Sequence, residues 1–357
     1  MLRSLLPSGL LLLAFSIQGC DVGSASVPAP AVDPSALEIG DDGDIGTDDL
    51  GPTPVELHGA LHVSGTELRD ASDKRVQLKG VSSMWLNWEE DGYAENLEGL
   101  KWLRNNWHLS VIRASMGIEA SGGYLSDPEK AKAQVMQIVD NAITAGVYVL
   151  IDWHTEIANQ QTEQSVAFFS EMAAKYAGVP NVLYETFNEP ANQPKVLEWS
   201  KDLKPYHETV VAAIREQDPD AVIILGTANW SQDVDKAALD PVAGTNLMYT
   251  LHFYACDHGE YLISKAKVAL SRGAPLFVTE WGATKADGGR DGSVCLVAAQ
   301  EWMDFLKPRG ISWAAWKFDN CTPDSTCFLT PDAPIDGGWT SQYLQGEGLF
   351  VRARMQE

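Results

Sequence analysis

Basic residues are scarce in this chain of 357 residues. Lys and Arg number 26 against 49 Asp and Glu, which gives a formal net charge of −23 at pH 7. A balance this acidic repels phosphate backbones and anionic lipid headgroups, so nucleic acid is not expected as a partner. Because 45% of the residues are hydrophobic, the chain is too apolar to be disordered throughout and can bury one ordinary core or two small ones.

Long hydrophobic runs are also missing. The apolar run centred on residues 10–15 is too short to span a bilayer stably. It lies between Arg3 and the small-residue stretch 16–20, which ends in Cys20, and this order predicts a secretory signal peptide over residues 1–20. The cysteine resembles the lipobox of bacterial lipoproteins, which implies an extracytoplasmic protein, at the cell surface or in the periplasm, attached to the membrane only by a lipid on Cys20. Plain secretion is the alternative.

Residues 21–55 contain no Lys, no Arg and no aromatic residue. They are rich in Asp, Gly, Pro, Ser and Ala and include eight acidic side chains. Such a segment cannot bury enough apolar surface to fold. The sequence therefore predicts a disordered acidic linker over residues 21–56, followed by one folded domain over residues 57–357.

Cysteine is sparse, with five in the chain. Without Cys20, four remain, an even number in a chain expected to reach an oxidising compartment, and two disulfides are predicted. Four cysteines allow three pairings. The short interval between Cys321 and Cys327 favours one local bridge, with Cys256 and Cys295 as the other pair. A zinc site is the competing interpretation, and the lack of a C-x-x-C pair argues against it.

What the chain does contain, from residue 57 onward, is an alternation of apolar runs with helix-like stretches. Eight short runs are rich in β-branched and aromatic residues: 76–82, 110–116, 147–153, 181–187, 221–226, 247–254, 275–280 and 311–316. The helix-like stretches between them include 128–145, 162–176, 194–217 and 292–307. Alternation of this kind predicts parallel strands joined by right-handed crossovers.

Eight such units predict an α/β fold, a (β/α)8 TIM barrel. A doubly wound open sheet would usually carry a Gly-rich phosphate loop after its first strand, and none is present. Residues 61–63 and 75–78, on either side of a turn at 70–74, predict an N-terminal β-hairpin that plugs the bottom of the barrel.

Catalytic side chains in a barrel of this kind lie at the carboxyl ends of the strands. The ends of the predicted strands hold the following residues: Arg113, His154, Asn188, Glu189, Trp230, His252, Tyr254, Glu280 and Trp316. Random placement would put such residues into the helices as well. The pattern therefore predicts one site at the barrel mouth.

Two of these residues, Glu189 and Glu280, stand where an apolar strand reaches the mouth. Carboxylates held roughly 5 Å apart suit a retaining glycosidase, in which one attacks the anomeric carbon and the other protonates the leaving oxygen. A wider separation predicts inversion. The alternative is that each glutamate only pairs with a nearby Arg.

The same residues lie within eight ordered motifs between residues 61 and 354: QLKGVSS at 77–83, IRA at 112–114, SGGY at 121–124, IDWH at 151–154, NEP at 188–190, WSQDV at 230–234, HFY at 252–254 and TEWG at 279–282. Together they resemble glycoside hydrolase family 5, and within it the Bacillus-type bacterial endo-β-1,4-glucanases, or cellulases.

The resemblance implies roles for five residues. Glu189 would be the general acid/base and Glu280 the nucleophile. Asn188 would hydrogen-bond the sugar 2-hydroxyl, a contact that strengthens in the transition state. Arg113 would keep Glu280 ionised, and Tyr254 would donate a hydrogen bond to it.

His154 and His252 would line the reacting subsite. A buried core histidine is the alternative for each. No metal ion and no organic cofactor is expected to take part.

Eight of the twelve tryptophans fall into two groups. Trp88, Trp230 and Trp316 fall at strand ends or loops, where an indole can stack on the C–H face of a pyranose, and Trp85 is a weaker candidate. Those in helix-like stretches predict packing: Trp102, Trp107, Trp199 and Trp302.

Three positions depart from the Bacillus-type pattern. Met84 stands where those enzymes carry His, Gly117 where they carry Tyr, and Cys321 where they carry a sugar-binding Lys. All three concern sugar binding rather than proton transfer, so they affect the expected polysaccharide preference.

The sequence thus predicts a monomeric retaining endo-β-1,4-glucanase that hydrolyses internal bonds of cellulose-like β-glucans. A first alternative keeps the fold and the glutamates and changes the polymer to mannan, xyloglucan or mixed-linkage β-glucan. A second is a non-catalytic glycan-binding lipoprotein, against which the presence of both glutamates argues.

Overall fold

The computed structural model describes residues 51–89, 91–119, 121–191, 195–321 and 324–357. Three predicted features lie outside the described residues: the signal peptide, the lipidation site Cys20 and residues 21–50 of the linker. Among the described helices, none combines the length and the apolar character needed to cross a bilayer. The first of them, α1 (Pro54–His58), includes residues 54–56 of the predicted linker. It begins at a capping box formed by Thr53 and Glu56.

A small antiparallel hairpin precedes the barrel, but its strands are not those predicted. Strand β1 (His62–Ser64) pairs with β2 (Glu67–Arg69), so the predicted pairing of 61–63 with 75–78 is wrong. The connection holds Gly65 at φ 60°, a left-handed conformation that glycine adopts without strain. The predicted turn at 70–74 forms only a single bridge between Arg69 and Arg75.

Eight parallel strands close into a barrel and confirm the predicted (β/α)8 fold. They are β3 (Lys79–Ser82), β4 (Val111–Gly117), β5 (Tyr148–His154), β6 (Val182–Glu185), β7 (Val222–Leu225), β8 (Leu247–Tyr254), β9 (Leu276–Gly282) and β10 (Trp313–Ala315). Each strand pairs with the next, and β10 closes the barrel on β3. Strands buried on both faces explain why the runs read as continuously apolar.

The helices around the barrel are α2 (Leu97–Trp107), α3 (Pro128–Ala145), α4 (Thr162–Lys175), α5 (Lys204–Gln217), α7 (Val234–Ala237), α8 (Glu260–Ser271), α9 (Leu296–Leu306) and α10 (Gly348–Gln356). Between α5 and α7, the segment α6 (Ala228–Ser231) is a single turn after β7, with residues 229–231 left-handed. Helix α3 matches its prediction. The Asp127 side chain accepts a hydrogen bond from the backbone of Lys130, Pro128 occupies the first turn, and left-handed Gly146 ends the helix.

Two predicted helices begin later than expected. In place of 194–217, the α-helix begins at Lys204 after a π-helical turn, Trp199–Leu203. Pro205 fits the first turn of α5 because the backbone N–H that proline lacks would have no helical partner there. In place of 292–307, α9 begins at Leu296, because Gly292 has φ 77°, which a right-handed helix cannot contain.

The bottom of the barrel interior is filled by apolar side chains from the strands and the hairpin region. Members of this cluster are Leu61, Leu68, Val76, Leu78, Val111, Tyr148, Leu150, Leu183, Val222, Ile224, Met248 and Phe277. Since successive side chains alternate between the two faces of a strand, the next inward positions along β4, β5 and β6 are Arg113, Asp152 and Glu185. The hairpin region plugs the bottom, as predicted, and the interior becomes charged towards the mouth.

Strand β9 carries one extra residue. Where β8 advances by two residues, from Thr250 to His252, its partner advances by three, from Phe277 to Glu280. The pairing of β9 with β10 shifts at the same place. An extra residue of this kind is a β-bulge, which changes the face to which the following side chains point. As a result, Thr279 and Glu280 both contact polar groups of the interior.

Candidate active site

The two glutamates singled out from the sequence lie together at the carboxyl ends of the strands. Glu280 lies near the end of β9, and Glu189 lies in the loop after β6. One carboxylate oxygen of Glu189 lies within 4.8 Å of one of Glu280. The Glu280 side chain is 6% exposed and that of Glu189 is 18% exposed, so Glu189 is the more open to the cleft. Oxygens this close favour the short spacing of a retaining carboxylate pair over the wider spacing of an inverting pair.

Arg113 is fully buried in β4 and contacts three carboxylates. Its Nη1 donates to Glu280 Oε2 at 2.9 Å, its Nε donates to Glu185 Oε2 at 2.8 Å, and its Nη2 lies 2.9 Å from Asp152 Oδ2. A buried guanidinium needs such partners because an unpaired charge away from water is strongly destabilising. Its donors are fixed in one plane, so the guanidinium also sets the position of the Glu280 carboxylate.

A chain of hydrogen bonds runs behind the two glutamates. His252 Nδ1 lies 2.8 Å from Glu189 Oε1, and His252 Nε2 lies 2.8 Å from Thr279 Oγ1. The Thr279 hydroxyl donates to Glu185 Oε1 at 2.6 Å. Glu185 in turn accepts from the guanidinium that binds the other glutamate. The environments of the two carboxyl groups are therefore coupled through buried side chains.

Burial and charge move the pKa values of the two glutamates in opposite directions. Burial alone raises the pKa of Glu280, but the positive charges of His252 and Arg113 outweigh it and bring that pKa to about 2. The pKa of Glu189 is raised by burial and by the negative charge of Glu280. Burial lowers the pKa of His252, yet the neighbouring carboxylates bring it to about 9. The two shifts thus favour the ionised form of Glu280 and the protonated form of Glu189.

Tyr254 and Asn188 lie against the same groups, and the contact of Tyr254 with Glu280 is the one expected from the sequence. Tyr254 Oη donates to Glu280 Oε1 at 2.7 Å. Asn188 Oδ1 accepts from Arg113 Nη2 at 2.6 Å. Because a guanidinium can only donate, this bond orients the Asn188 amide with its NH2 group away from Arg113.

His154 is buried at the end of β5. Its Nδ1 lies 2.6 Å from Asp152 Oδ2, and its ring stacks on Trp316 with the centroids 5.3 Å apart. Trp316 is 8% exposed. The carboxylate and the indole together hold the imidazole in one orientation.

A cavity of about 480 Å³ opens beside the glutamates. Predicted residues in its wall are Glu189, Trp230, His252, Tyr254 and Glu280. Residues in its wall that received no role from the sequence are Glu156, Asn229, Gln232, His258 and Ala286. This size and this mixture of an aromatic wall with convergent polar groups are typical of a site for a small molecule or a few sugar units.

Trp230 is held by an unusual turn after β7. Residues 229–231 have φ between 54° and 60°, a left-handed conformation that costs of order 1–3 kcal/mol for each residue other than glycine. Two hydrogen bonds fix the turn to the loop after β6. The Trp230 N–H donates to Pro190 O at 3.0 Å, and Ser231 Oγ donates to Asn188 O at 2.7 Å. The turn that carries Trp230 is therefore fixed to the loop that carries Glu189.

Trp88 lies on the other side of the mouth, because β3 and β7 are opposite each other in the ring of eight strands. It is 58% exposed and stacks on Trp85. The tryptophans predicted to pack are all buried: Trp102, Trp107, Trp199 and Trp302.

Both predicted disulfides are present. Cys256, after β8, is bonded to Cys295, directly before α9, and Cys321 is bonded to Cys327 in the loop after β10. The four sulfurs are bonded to one another, so they do not form the thiolate set that the zinc interpretation requires.

Three residues of the buried network, Asp152, Glu185 and Thr279, receive no role from the sequence motifs. Asp152 and Glu185 are acids inside apolar strands, and a charge in a strand buried on both faces needs a buried partner. This need for a buried basic partner indicates Arg113, which lies in an equally apolar strand. Nothing local in the sequence reveals Thr279, because its position depends on the bulge in β9.

Comparisons with known proteins agree with this geometry. The family model for cellulase, glycosyl hydrolase family 5, matches residues 69–322. Endoglucanase 5 from Pectobacterium carotovorum subsp. carotovorum is 42% identical over 310 residues, 86% of this chain and 59% of the relative. Endoglucanase A from Evansella cellulosilytica is 44% identical over 285 residues, 79% of this chain and 57% of the relative. The chain therefore spans less than two thirds of the length of these relatives.

A solved structure is similar over the whole barrel. The catalytic domain of an endoglucanase from Thermobifida fusca, in complex with cellotetraose, is 32% identical, with a TM-score of 0.79 over 85% of this chain and 100% of that one. The family model covers well over half of the chain, and the fold is the same. The chain belongs to glycosyl hydrolase family 5.

Proposed function

We propose that the protein is a retaining endo-β-1,4-glucanase that hydrolyses internal bonds of cellulose-like glucans. The observation that carries the proposal is the pair Glu189 and Glu280, with carboxylate oxygens within 4.8 Å and pKa values moved in opposite directions. Similarity to endoglucanases, one of them in complex with cellotetraose, supports a β-1,4-glucan as the substrate.

In the first step, the ionised Glu280 carboxylate attacks the anomeric carbon from one face of the sugar. Glu189 gives its proton to the glycosidic oxygen, the bond between that oxygen and the anomeric carbon breaks, and an ester forms between the sugar and Glu280. Arg113 and Tyr254 hold the attacking carboxylate through hydrogen bonds of 2.9 and 2.7 Å.

In the second step, the charge that raised the pKa of Glu189 is gone, because Glu280 is now an ester. The pKa of Glu189, which is hydrogen-bonded to the charged His252, therefore falls. Having given up its proton in the first step, Glu189 stays ionised and accepts a proton from water as the water attacks. The water oxygen attacks the anomeric carbon, and the ester bond breaks. Two inversions leave the product with the configuration of the substrate.

The remaining groups orient the sugar. The Asn188 amide donates to the 2-hydroxyl, and His154 contacts the sugar beside Trp316. Trp230 and Trp88 provide stacking surfaces on opposite sides of the glutamates. No step in this sequence calls on a metal ion or an organic cofactor.

A panel of polysaccharides tests the substrate. Release of reducing ends from carboxymethylcellulose is expected to exceed release from galactomannan, xyloglucan and lichenan. A rapid fall in viscosity for few reducing ends would indicate internal cleavage. No activity on any cellulosic substrate would overturn the proposal. Preference for another polymer would favour the alternative substrates mannan, xyloglucan or mixed-linkage β-glucan. The departures at Met84, Gly117 and Cys321 are compatible with that alternative.

Two matched variants test the roles of the glutamates. With an aryl cellobioside whose leaving group needs no proton, Glu189→Gln should release the aryl group and accumulate the ester, whereas Glu280→Gln should release none. A burst from Glu280→Gln would reverse the assignment. Proton NMR of the first-formed product reports retention or inversion, and inversion would contradict the mechanism.

We further propose that the protein is an exported bacterial lipoprotein. Residues 1–20 would be its signal peptide, Cys20 would carry the lipid and residues 21–56 would form an acidic spacer before a monomeric catalytic barrel over residues 57–357. Wild-type protein should partition into detergent and incorporate labelled fatty acid, and Cys20→Ser should do neither. Wild-type protein without label would support plain secretion.

A further inference from the structure

A short 3₁₀ turn after β3 carries two tryptophans. The turn is Leu86–Trp88, and the Trp88 N–H donates to Trp85 O at 2.9 Å. Side chains three residues apart eclipse in a 3₁₀ turn. The two indoles therefore stack, with centroids 4.6 Å apart and planes inclined by 6°. Trp88 is 58% exposed and Trp85 is half-buried, so Trp85 covers one face of Trp88 and the other faces solvent.

Gly117, the last residue of β4, leaves room for the inner indole. A Cβ atom at this position would lie 3.0 Å from Trp85 Cε3 and 2.1 Å from Asn87 Oδ1. The backbone of Gly117 is not in the left-handed region, so space rather than conformation calls for glycine here.

Trp85 also contacts a residue of the barrel mouth. The edge of its ring meets His154, with centroids 4.6 Å apart at 71°. Leu86 is buried, and its carbonyl accepts from Gln134 Nε2 at 2.9 Å, which fixes the turn to α3. Since His154 also stacks on Trp316, a line of rings runs from Trp316 through His154 and Trp85 to Trp88.

We infer that Trp85 is a positioning residue that sets substrate affinity. It holds the Trp88 indole in one orientation, so that a glucose unit remote from the cleaved bond stacks on the outer face of Trp88 alone. The inference rests on the proposed glucanase function. An indole fixed before binding loses no rotamer freedom when sugar arrives, which is worth roughly two- to tenfold in affinity. The 4.6 Å between the indoles leaves no space for a sugar ring.

Two substitutions of similar bulk test the role of the flat ring. Trp85→Phe keeps an aromatic plane beneath Trp88, and Trp85→Leu does not. Both are made in the full chain and compared with wild type on cello-oligosaccharides of increasing length. Stacked indoles give an exciton couplet in far-ultraviolet circular dichroism, to which the edge-to-face pairs Trp102–Trp339 and Trp281–Trp313 also contribute. The couplet of Trp85 and Trp88 is therefore read from the difference between two spectra, wild type against variant or free against bound. The melting temperature monitors folding.

Trp85→Leu should abolish the couplet and raise KM for the longest oligosaccharides by roughly two- to tenfold, with a smaller fall in kcat. The shortest substrates, which do not reach Trp88, should show a smaller rise in KM. Trp85→Phe should restore most of the affinity for long substrates. If Trp85→Leu does not fold, Trp85→Met replaces it, because a flexible thioether fills the space without a flat ring and the same KM change is expected.

Several results would overturn the inference. One is an unchanged KM for long substrates in Trp85→Leu, in which the couplet is lost. Another is an equal rise for short and long substrates, which would indicate a general structural defect. Loss of the wild-type couplet on saturation with oligosaccharide would show that the stack opens to admit sugar. Absence of wild-type activity on every cellulosic substrate would refute the proposed function itself, whereas the other outcomes refute only the role of Trp85.

Discussion

The lower and upper halves of the barrel interior are built by the same strands and hold opposite kinds of side chain. In β4, Val111 packs in the apolar cluster, and Arg113, two residues further on, binds carboxylates. In β6, Leu183 and Glu185 repeat the change. Apolar packing in the lower half stabilises the fold, whereas the charges of the upper half are tolerated only as a paired set. Stability and chemistry are therefore assigned to different levels of one interior, and variants in each level can separate them.

The largest effect is expected from Glu280→Gln in the upper half. Loss of the proposed nucleophile should lower kcat by more than roughly 10³-fold, because the amide of Gln cannot form the ester. The melting temperature should change little, since Arg113 keeps two of its three carboxylates. Reducing-sugar release and calorimetry measure the two effects. Glu260→Gln, on the exposed surface of α8, is the control and should alter neither; a Glu280→Gln enzyme with near wild-type turnover would refute the comparison.

In the lower half, Ile224→Ala should do the reverse. The side chain is fully buried in the apolar cluster, so truncation should lower the free energy of unfolding by about 2–5 kcal/mol. The kcat of the folded variant should remain close to that of wild type. Ile143→Ala on α3, where the side chain is 37% exposed, should cost much less. Denaturant titration gives the stabilities, and a large fall in kcat for Ile224→Ala would show that the two levels are not independent.

Removing each disulfide tests how much it stabilises the loops at the barrel mouth. Cys256–Cys295 spans 39 residues and Cys321–Cys327 spans 6. Because a longer closed loop restricts the unfolded chain more, replacing the first pair by Ala should lower the free energy of unfolding by about 4 kcal/mol and the second by about 2 kcal/mol. Guanidinium unfolding of the two double variants, each compared with wild type, gives the order. A greater loss from the shorter loop would contradict the entropic explanation.

The smallest effect is a shift in the pH profile of His252→Gln. The charged imidazole lowers the pKa of both glutamates, so its removal should move the acidic and alkaline limbs of kcat/KM to higher pH. His207→Gln, at a buried histidine whose pKa burial lowers to about 4, is the control and should leave both limbs in place. Limbs that move apart, or do not move, would contradict the coupling.

His252 also links stability to pH. Its pKa is about 9 in the folded protein against 6.5 for an unperturbed histidine, so its contribution is fully present below pH 6.5 and is lost as the pH rises through about 9. Wild-type stability should fall over that interval more steeply than that of His252→Gln. Parallel curves would show that the imidazole is not charged in the folded state.

The parts of the molecule that follow from period and position could be predicted from the sequence. Apolar runs gave the strands of the barrel, and polar residues at their ends gave both glutamates, Arg113 and Tyr254. Choices between competing local structures could not be predicted. The turn at 70–74 is real, yet left-handed Gly65 closes the hairpin earlier in the chain, and Gly292 delays the start of α9.

Which residues far apart in the sequence pair with each other could not be predicted either, although a buried acid in an apolar strand indicates that some partner is needed. Asp152 and Glu185 are 33 residues apart in the sequence, and only the closed barrel brings both to one guanidinium. The relation between Gly117 and Trp85 is of the same kind, because a missing side chain on one strand matters only once the neighbouring loop is in place.

The bulge in β9 makes the activity depend on how many residues the strand contains as well as on which they are. In a regular strand that kept all these residues, Thr279 and Trp281 would share the inward face and Glu280 would face the helices. The bulge lets two successive residues, Thr279 and Glu280, both face the interior. Deleting one residue between Phe277 and Glu280 would restore regular alternation and keep Glu280 inward, but the interior place of Thr279 would be lost, and with it the hydrogen-bonded link from His252 to Glu185.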